Sequence, residues 1–331
     1  MVIIIENLKE LPRELHDRHR LLLYYQDYLV NLLKKADEKK LSNINVELSE
    51  SLEGEDLLDY LMDNGREEGY FAVSSHLFFS LLSDFTMYIG ESFRCIESGK
   101  VSVAYSISRK PIKDSVFYFS QLLIDKKDFM RKVYYENPKE IDLSTKTPED
   151  KMYVFKRASE LIGTPEAGKI VFDFIFDKKS ITGLSRMWDQ SLHLITQNRN
   201  YPTQKQNLNF VFADDEIWFD YWNYYYIVMP YIMKFAIEVI TRLFEDIIEP
   251  EPEIKTFNKL IRDCKFLIHY SNEKEEAIEK FKELLSEVSL DCDKCNHEYN
   301  LETGNINSMI SDNVFICPCC RKVERVGDYI T

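Results

Sequence analysis

Glycine and proline are scarce in this chain, with ten of each among 331 residues. So few breakers, with apolar residues recurring mostly at intervals of three and four, argue against a strand-and-turn architecture and for dominant helices. Positive charge is also in deficit. Forty-two Lys and Arg stand against 56 Asp and Glu, a formal charge of −14, which disfavours non-specific attraction to a phosphate backbone or an anionic membrane. The longest uncharged aromatic and aliphatic stretch, Tyr221 to Met233, falls short of the roughly 20 residues that a membrane span requires. Met1 to Glu6 carries no cationic leader and reads as no signal peptide, so cytoplasmic residence is expected. The sequence has no glycine-rich phosphate loop, no Gly-x-Ser-x-Gly elbow, no His-Glu-x-x-His and no kinase signature, which argues against familiar nucleotide-driven chemistry.

Cysteine is present in a telling arrangement. Of seven, five lie between Cys292 and Cys320, a clustering that suits metal ligation in a reducing compartment better than a disulfide framework. Cys292-Asp293-Lys294-Cys295 and Cys317-Pro318-Cys319-Cys320 each put two residues between paired thiols, so that one tight turn offers both sulfurs to the same ion. Cys319 is a fifth candidate, but the two-residue spacing favours Cys320. Glu298–Leu301 and Asn313–Ile316 read as short strands around Thr303-Gly304-Asn305. Over about 40 residues this segment resembles the four-cysteine zinc ribbon, which implies a structural Zn²⁺ held by Cys292, Cys295, Cys317 and Cys320. Asn296 and Arg321 stand where the ribbon usually has glycine. Zinc is expected over iron or a redox pair, because the two cysteine pairs are well separated and no redox-domain pattern surrounds them. From Asp291 to Thr331 there are seven acids and four bases, so a protein partner is expected through the ribbon. Cys95 and Cys264 fall in apolar helical patterns and read as core.

The fold expected is mainly α: an irregular multi-helix body over 1–249, a helical connector over 250–290 beginning at the stiff acidic Glu249-Pro250-Glu251-Pro252-Glu253, and a small C-terminal zinc β-ribbon over 291–331. Helices are expected near 12–36, 70–96, 148–162, 165–178, 184–196, 214–249, 254–269 and 273–288. Thr147-Pro148-Glu149-Asp150 is a helix start with a hydroxyl cap and acids at the positive end of the dipole. Pro111 should kink or restart the helical segment 101–125, and the alternation over 171–177 leaves a strand open as an alternative. The element over 214–249, the most aromatic of the chain, is expected at the centre of the fold, or else at an oligomer or partner interface.

Candidate chemistry in the body is less explicit. His76, Ser80, Asp84, Tyr88 and Glu91 step by three or four along one side of a greasy helix, and Arg109, Lys110 and Lys113 follow on the next. Inter-helix ion pairing is one reading, and a ligand pocket using Asp84, Glu91 and Arg109, with His76 and the tyrosines of 214–249, is the other. Arg186 and His193 are seven apart, nearly two turns of the expected 184–196 helix, with Leu184, Trp188, Leu192 and Ile195 on the opposite packing face. An arginine that holds phosphate beside a histidine that moves a proton could cleave RNA by 2′-hydroxyl attack. That spacing resembles the Arg-x(4–6)-His motif of HEPN-type helical ribonucleases, which implies a homodimeric RNA-cleaving or RNA-binding defence effector with Arg186 and His193 catalytic. Met187 departs from the polar residue that usually follows the family's arginine. The same spacing recurs at Arg13/His19 and Arg262/His269, while His16 and His19 read as surface residues. A non-enzymatic scaffold or sensor that binds protein partners is the alternative.

Overall fold

The computed structural model describes residues 11–41, 60, 67–178, 183–211, 215–271, 274–286, 292, 294–298, 308–309 and 312–325. They are overwhelmingly helical, with one two-stranded sheet at the C-terminal end. Packing divides the chain into two units, 32–248 and a second made from 1–31 together with 249–331; the division falls inside the first helix. The sequence reading places 1–249 in one body, whereas the described residues 11–31 group with those of 249–331. No local signal announces such a long-range association.

Unit 2, residues 32–248, holds α2 (Glu67–Glu97), α3 (Val101–Arg109), α4 (Val116–Ile124), α5 (Lys126–Tyr134), α6 (Pro148–Leu161), α7 (Ala167–Phe176), α8 (Leu184–Leu192) and α9 (Asp215–Ile248). Between α3 and α4 the chain does not break at Pro111. It widens into a π-helix, Lys110–Ser115, in which the Val116 N–H reaches back five residues to the Pro111 carbonyl, a register that tolerates the missing proline donor. At α6 the expected cap is complete: the Thr147 hydroxyl accepts from the Asp150 N–H and the Asp150 carboxylate accepts from the Thr147 N–H, so two otherwise orphaned donors are satisfied. The 171–177 alternation resolves as helix, since α7 extends through Phe176.

The aromatic helix α9 is the packing centre of unit 2, touching α2, α3, α4, α6 and α7. From Tyr225 to Glu245 nearly every side chain is buried. Phe235 lies 5.7 Å from Phe155, which in turn lies 6.2 Å from Phe117, and Tyr225 meets Tyr105 edge-on at 5.4 Å. Two buried hydroxyls of this core are paired, as burial favours: Ser92 Oγ lies 2.6 Å from the Tyr225 hydroxyl and the Tyr105 hydroxyl donates to the Tyr221 carbonyl at 2.9 Å. Gly168 lets α7 approach α6, since a Cβ there would sit 2.4 Å from the Phe155 carbonyl oxygen.

Unit 1 contains the first part of α1 (His16–Glu38), α10 (Pro252–Tyr270), α11 (Lys274–Ser286) and the ribbon strands β1 (Val314–Ile316) and β2 (Val323–Arg325). Ile261, Cys264 and Ile268 of α10, with Ala277 and Phe281 of α11, form one apolar cluster with Cys292, Met309, Phe315 and Cys317. Among the described residues of this unit four basic side chains are buried: His19, Arg262, Lys265 and His269. The expectation that His19 lies on the surface is thereby corrected; it is fully covered, and burial, aided by repulsion from His16, pulls its pKa down to about 3. No helix among the described residues is long and apolar enough to cross a membrane.

Candidate metal centre

Each cysteine pair sits on a turn of the same construction. In the first, the Asn296 N–H donates to the Cys292 carbonyl at 2.8 Å and the Cys292 N–H donates to the His297 carbonyl at 3.0 Å. In the second, the Arg321 N–H donates to the Cys317 carbonyl at 3.0 Å and the Cys317 N–H donates to the Lys322 carbonyl at 2.8 Å. Closing this loop drives the residue after the second cysteine into the left-handed region, with φ of 52° at Asn296 and 61° at Arg321. Those are the two positions where glycine is usual, and the reason is now physical: a Cβ at positive φ crowds the backbone.

The two turns bring four sulfurs together. Cys292 Sγ lies 3.5 Å from Cys320 Sγ, Cys295 Sγ lies 3.7 Å from Cys317 Sγ, and all four lie within 4.8 Å of one another. A tetrahedron of thiolates with metal–sulfur bonds near 2.3 Å has an edge of about 3.8 Å, so the set could hold one metal ion. None of the cysteines is disulfide-bonded. The exposed Cys319 lies outside this group of four. Cys292 and Cys317 are fully buried whereas Cys295 is exposed, so an ion held by the four would lie at the edge of the apolar cluster with one flank toward solvent. Burial and the neighbouring sulfurs push the Cys295 thiol up, and a bound divalent cation inverts that preference by stabilising the thiolates.

The ribbon is fastened to the helices by more than apolar contact. Lys265, in the middle of α10, is entirely buried and donates to the Met309 carbonyl and to Asn313 Oδ1, the latter at 2.6 Å. Its ammonium lies 5.7 Å from the Tyr24 ring and 5.9 Å from the Phe281 ring, and burial draws its pKa down to about 7. On the other side Arg325 of β2 pairs with Asp27 of α1 at 3.1 Å. The pairing of β1 with β2 is antiparallel, with Phe315 opposite Glu324. Sequence reasoning anticipated β1 but missed β2, whose Val323-Glu324-Arg325 is too short and polar to read as a strand. Of the other expected strand only Glu298 is described; Tyr299–Leu301 and the turn Thr303–Asn305 lie outside the described residues.

The candidate nuclease residues are arranged otherwise than the helical spacing implies. α8 ends at Leu192, and His193 is its C-cap in extended conformation. The expected helix over 184–196 is thus shortened, because the loop claims the following backbone: Asn209 Nδ2 donates to the His193 carbonyl at 2.7 Å, and the Asn209 N–H donates to the Leu194 carbonyl at 2.9 Å. Arg186 donates to Gln190 at 3.4 Å, the Tyr201 hydroxyl donates to Asp189 at 2.6 Å, and His193 is exposed. Leu184 and Trp188 pack as expected, whereas Leu192 and Ile195 are 47% and 61% exposed. Arg262 and His269 do share one continuous helix, α10, but both are buried and Arg262 donates to the Tyr28 hydroxyl at 2.9 Å.

The polar stripe of α2 meets the next helix through an ion pair. Asp84 pairs with Lys110 at 2.7 Å, and that ammonium also lies 4.4 Å above the Tyr88 ring. Glu91 pairs with Arg94 on its own helix. Neither carboxylate is paired with Arg109 in the structure, and His76 points to solvent. Compared with family models, with curated proteins and with solved structures, the chain matches none.

Proposed function

We propose that the chain is a zinc-stabilised helical interaction protein, in which Zn²⁺ on Cys292, Cys295, Cys317 and Cys320 holds the ribbon against α10 and α11 for contact with a protein partner. The observation that carries this reading is the closed set of four sulfurs at tetrahedral spacing, two of them inside the same apolar cluster as the helices. Four thiolates leave no coordination position for a substrate, so the ion supplies folding free energy and no chemistry of its own. The acid excess of the ribbon favours protein over nucleic acid as its partner.

The test pairs a partner search with an RNA-cleavage assay on the intact chain. A protein that co-purifies stoichiometrically, binds the purified chain directly and is released by Cys295→Ser is the expected result, with no RNA cleaved. Cleavage of RNA that Arg186→Ala and His193→Ala each abolish would overturn the proposal and restore the HEPN-type ribonuclease reading.

A further inference from the structure

Unit 2 contains a cavity of about 180 Å³ where α4, α5 and α6 meet. The chain makes room for it at Asp125, whose extended backbone (φ −152°, ψ 92°) ends α4 and starts α5. Because α4 packs against both α5 and α6, all three helices supply wall. The apolar part comes from Ile124, Phe129, Ile141, Val154 and the ring of Tyr153. Tyr153 is 63% exposed and stands at the mouth. A cavity of about 150 Å³ with aliphatic and aromatic walls takes up a benzene ring, so this space admits a body of about that size.

The polar part of the wall is formed by Gln121, Asp125, Asp128 and Lys132, and it is short of donors. Lys132 donates to Asp128, which also accepts from Arg131. Asp125 accepts the Asp128 N–H at 2.9 Å as the cap of α5. Lys126 and Lys127 follow Asp125 in sequence, yet among the described residues no cation pairs with it. On the same wall, Gln121 Oε1 is buried without a hydrogen-bond partner. With Asp125 and Asp128 against Lys132, the lining side chains sum to one negative charge. An anion is thereby disfavoured, and a ligand bringing N–H donors and a positive charge complements the wall. Phe129 and Tyr153 suit the same ligand, since the faces of aromatic rings attract cations.

We propose that this cavity binds a small organic cation, a primary ammonium on a compact apolar body, with Asp125 as its charge partner. The probe is benzylamine, compared with benzyl alcohol and benzoate, which keep the ring and change the charge. Methyl NMR titration of the intact chain reads both affinity and place, through Ile124, Ile141 and Val154. Saturable benzylamine binding with a Kd of about 1 mM is expected, with benzyl alcohol about tenfold weaker and benzoate not binding. Asp125→Asn keeps a good helix cap and removes the charge, so it should weaken benzylamine about tenfold while the chain melts as before. Ile141→Trp, which fills the volume from a residue outside any helix, should abolish binding. Glu160→Gln, which alters an exposed acid elsewhere on α6, should leave it intact. No saturable shift at those methyls, benzoate binding as tightly as benzylamine, or full affinity in either cavity variant would each overturn the proposal. The metal centre belongs to unit 1, so none of these outcomes bears on it.

Discussion

The two units bury different things. Unit 2 closes around α9 with phenylalanine and tyrosine rings in edge and tilted contact, so its stability is that of a conventional apolar core. Among its described residues unit 1 covers four basic side chains and two fully buried thiols, beside the apolar residues of α1 and a cluster shared by the short ribbon, α10 and α11. A unit that carries buried charge has less stability to spare, and a small ribbon that cannot fold on its own core is commonly held by a metal ion. The difference teaches that unit 2 closes on aromatic packing, while unit 1 combines apolar burial with covered basic side chains and a four-cysteine group that could hold a metal ion.

The largest expected effect separates the halves outright. Removal of the metal by a chelator, or Cys317→Ser, is expected to abolish the folding transition of unit 1, since structural zinc contributes on the order of 10 kcal/mol, and to leave that of unit 2 in place. Calorimetry with tryptophan fluorescence checks this; a single transition that shifts as a whole would break the comparison. Next in size, Phe235→Ala should cost unit 2 about 3–5 kcal/mol while metal content stays constant, as read by denaturant melts and metal analysis.

A pH series sharpens the contrast. His19 has a folded pKa of about 3 against an ordinary 6.5, so between those values the unfolded chain binds a proton that the folded unit refuses, and stability falls as pH drops through that window. Metal release also weakens unit 1 in acid, so the measured quantity is the difference between wild type and His19→Phe. The variant is expected to show the shallower acid limb, and parallel curves would rule out the buried neutral imidazole. The smallest effect is a gain. Arg321→Gly places glycine at φ of 61° and should raise unit 1 stability by roughly 0.5–1 kcal/mol, measured as a shifted denaturant midpoint; destabilisation would show that the arginine makes an offsetting contact.

What could be read from the sequence was local. The cap at Thr147 and the spacing of the cysteine turns both depend on neighbours within a few residues, whereas α10 starts at Pro252, inside the segment read as a linker. Even the two departures from glycine pointed at a real constraint, since Asn296 and Arg321 both sit at positive φ. Illegible features depended on distant partners. The end of α8 is set by Asn209, sixteen residues beyond the carbonyl it binds at His193, so periodicity ran the helix on and placed Arg186 and His193 on a common face. His19 looked like a surface residue because a polar residue in an amphipathic helix usually is one, yet it is fully covered.

The account rests on four thiolates around one ion. Metal quantification combined with X-ray absorption on the purified chain tests it most directly. One zinc per chain with four sulfur neighbours at about 2.3 Å, lost in Cys320→Ser and retained in Cys319→Ser, is the expected result. A chain without stoichiometric metal, or an ion bound through nitrogen and oxygen, would contradict it.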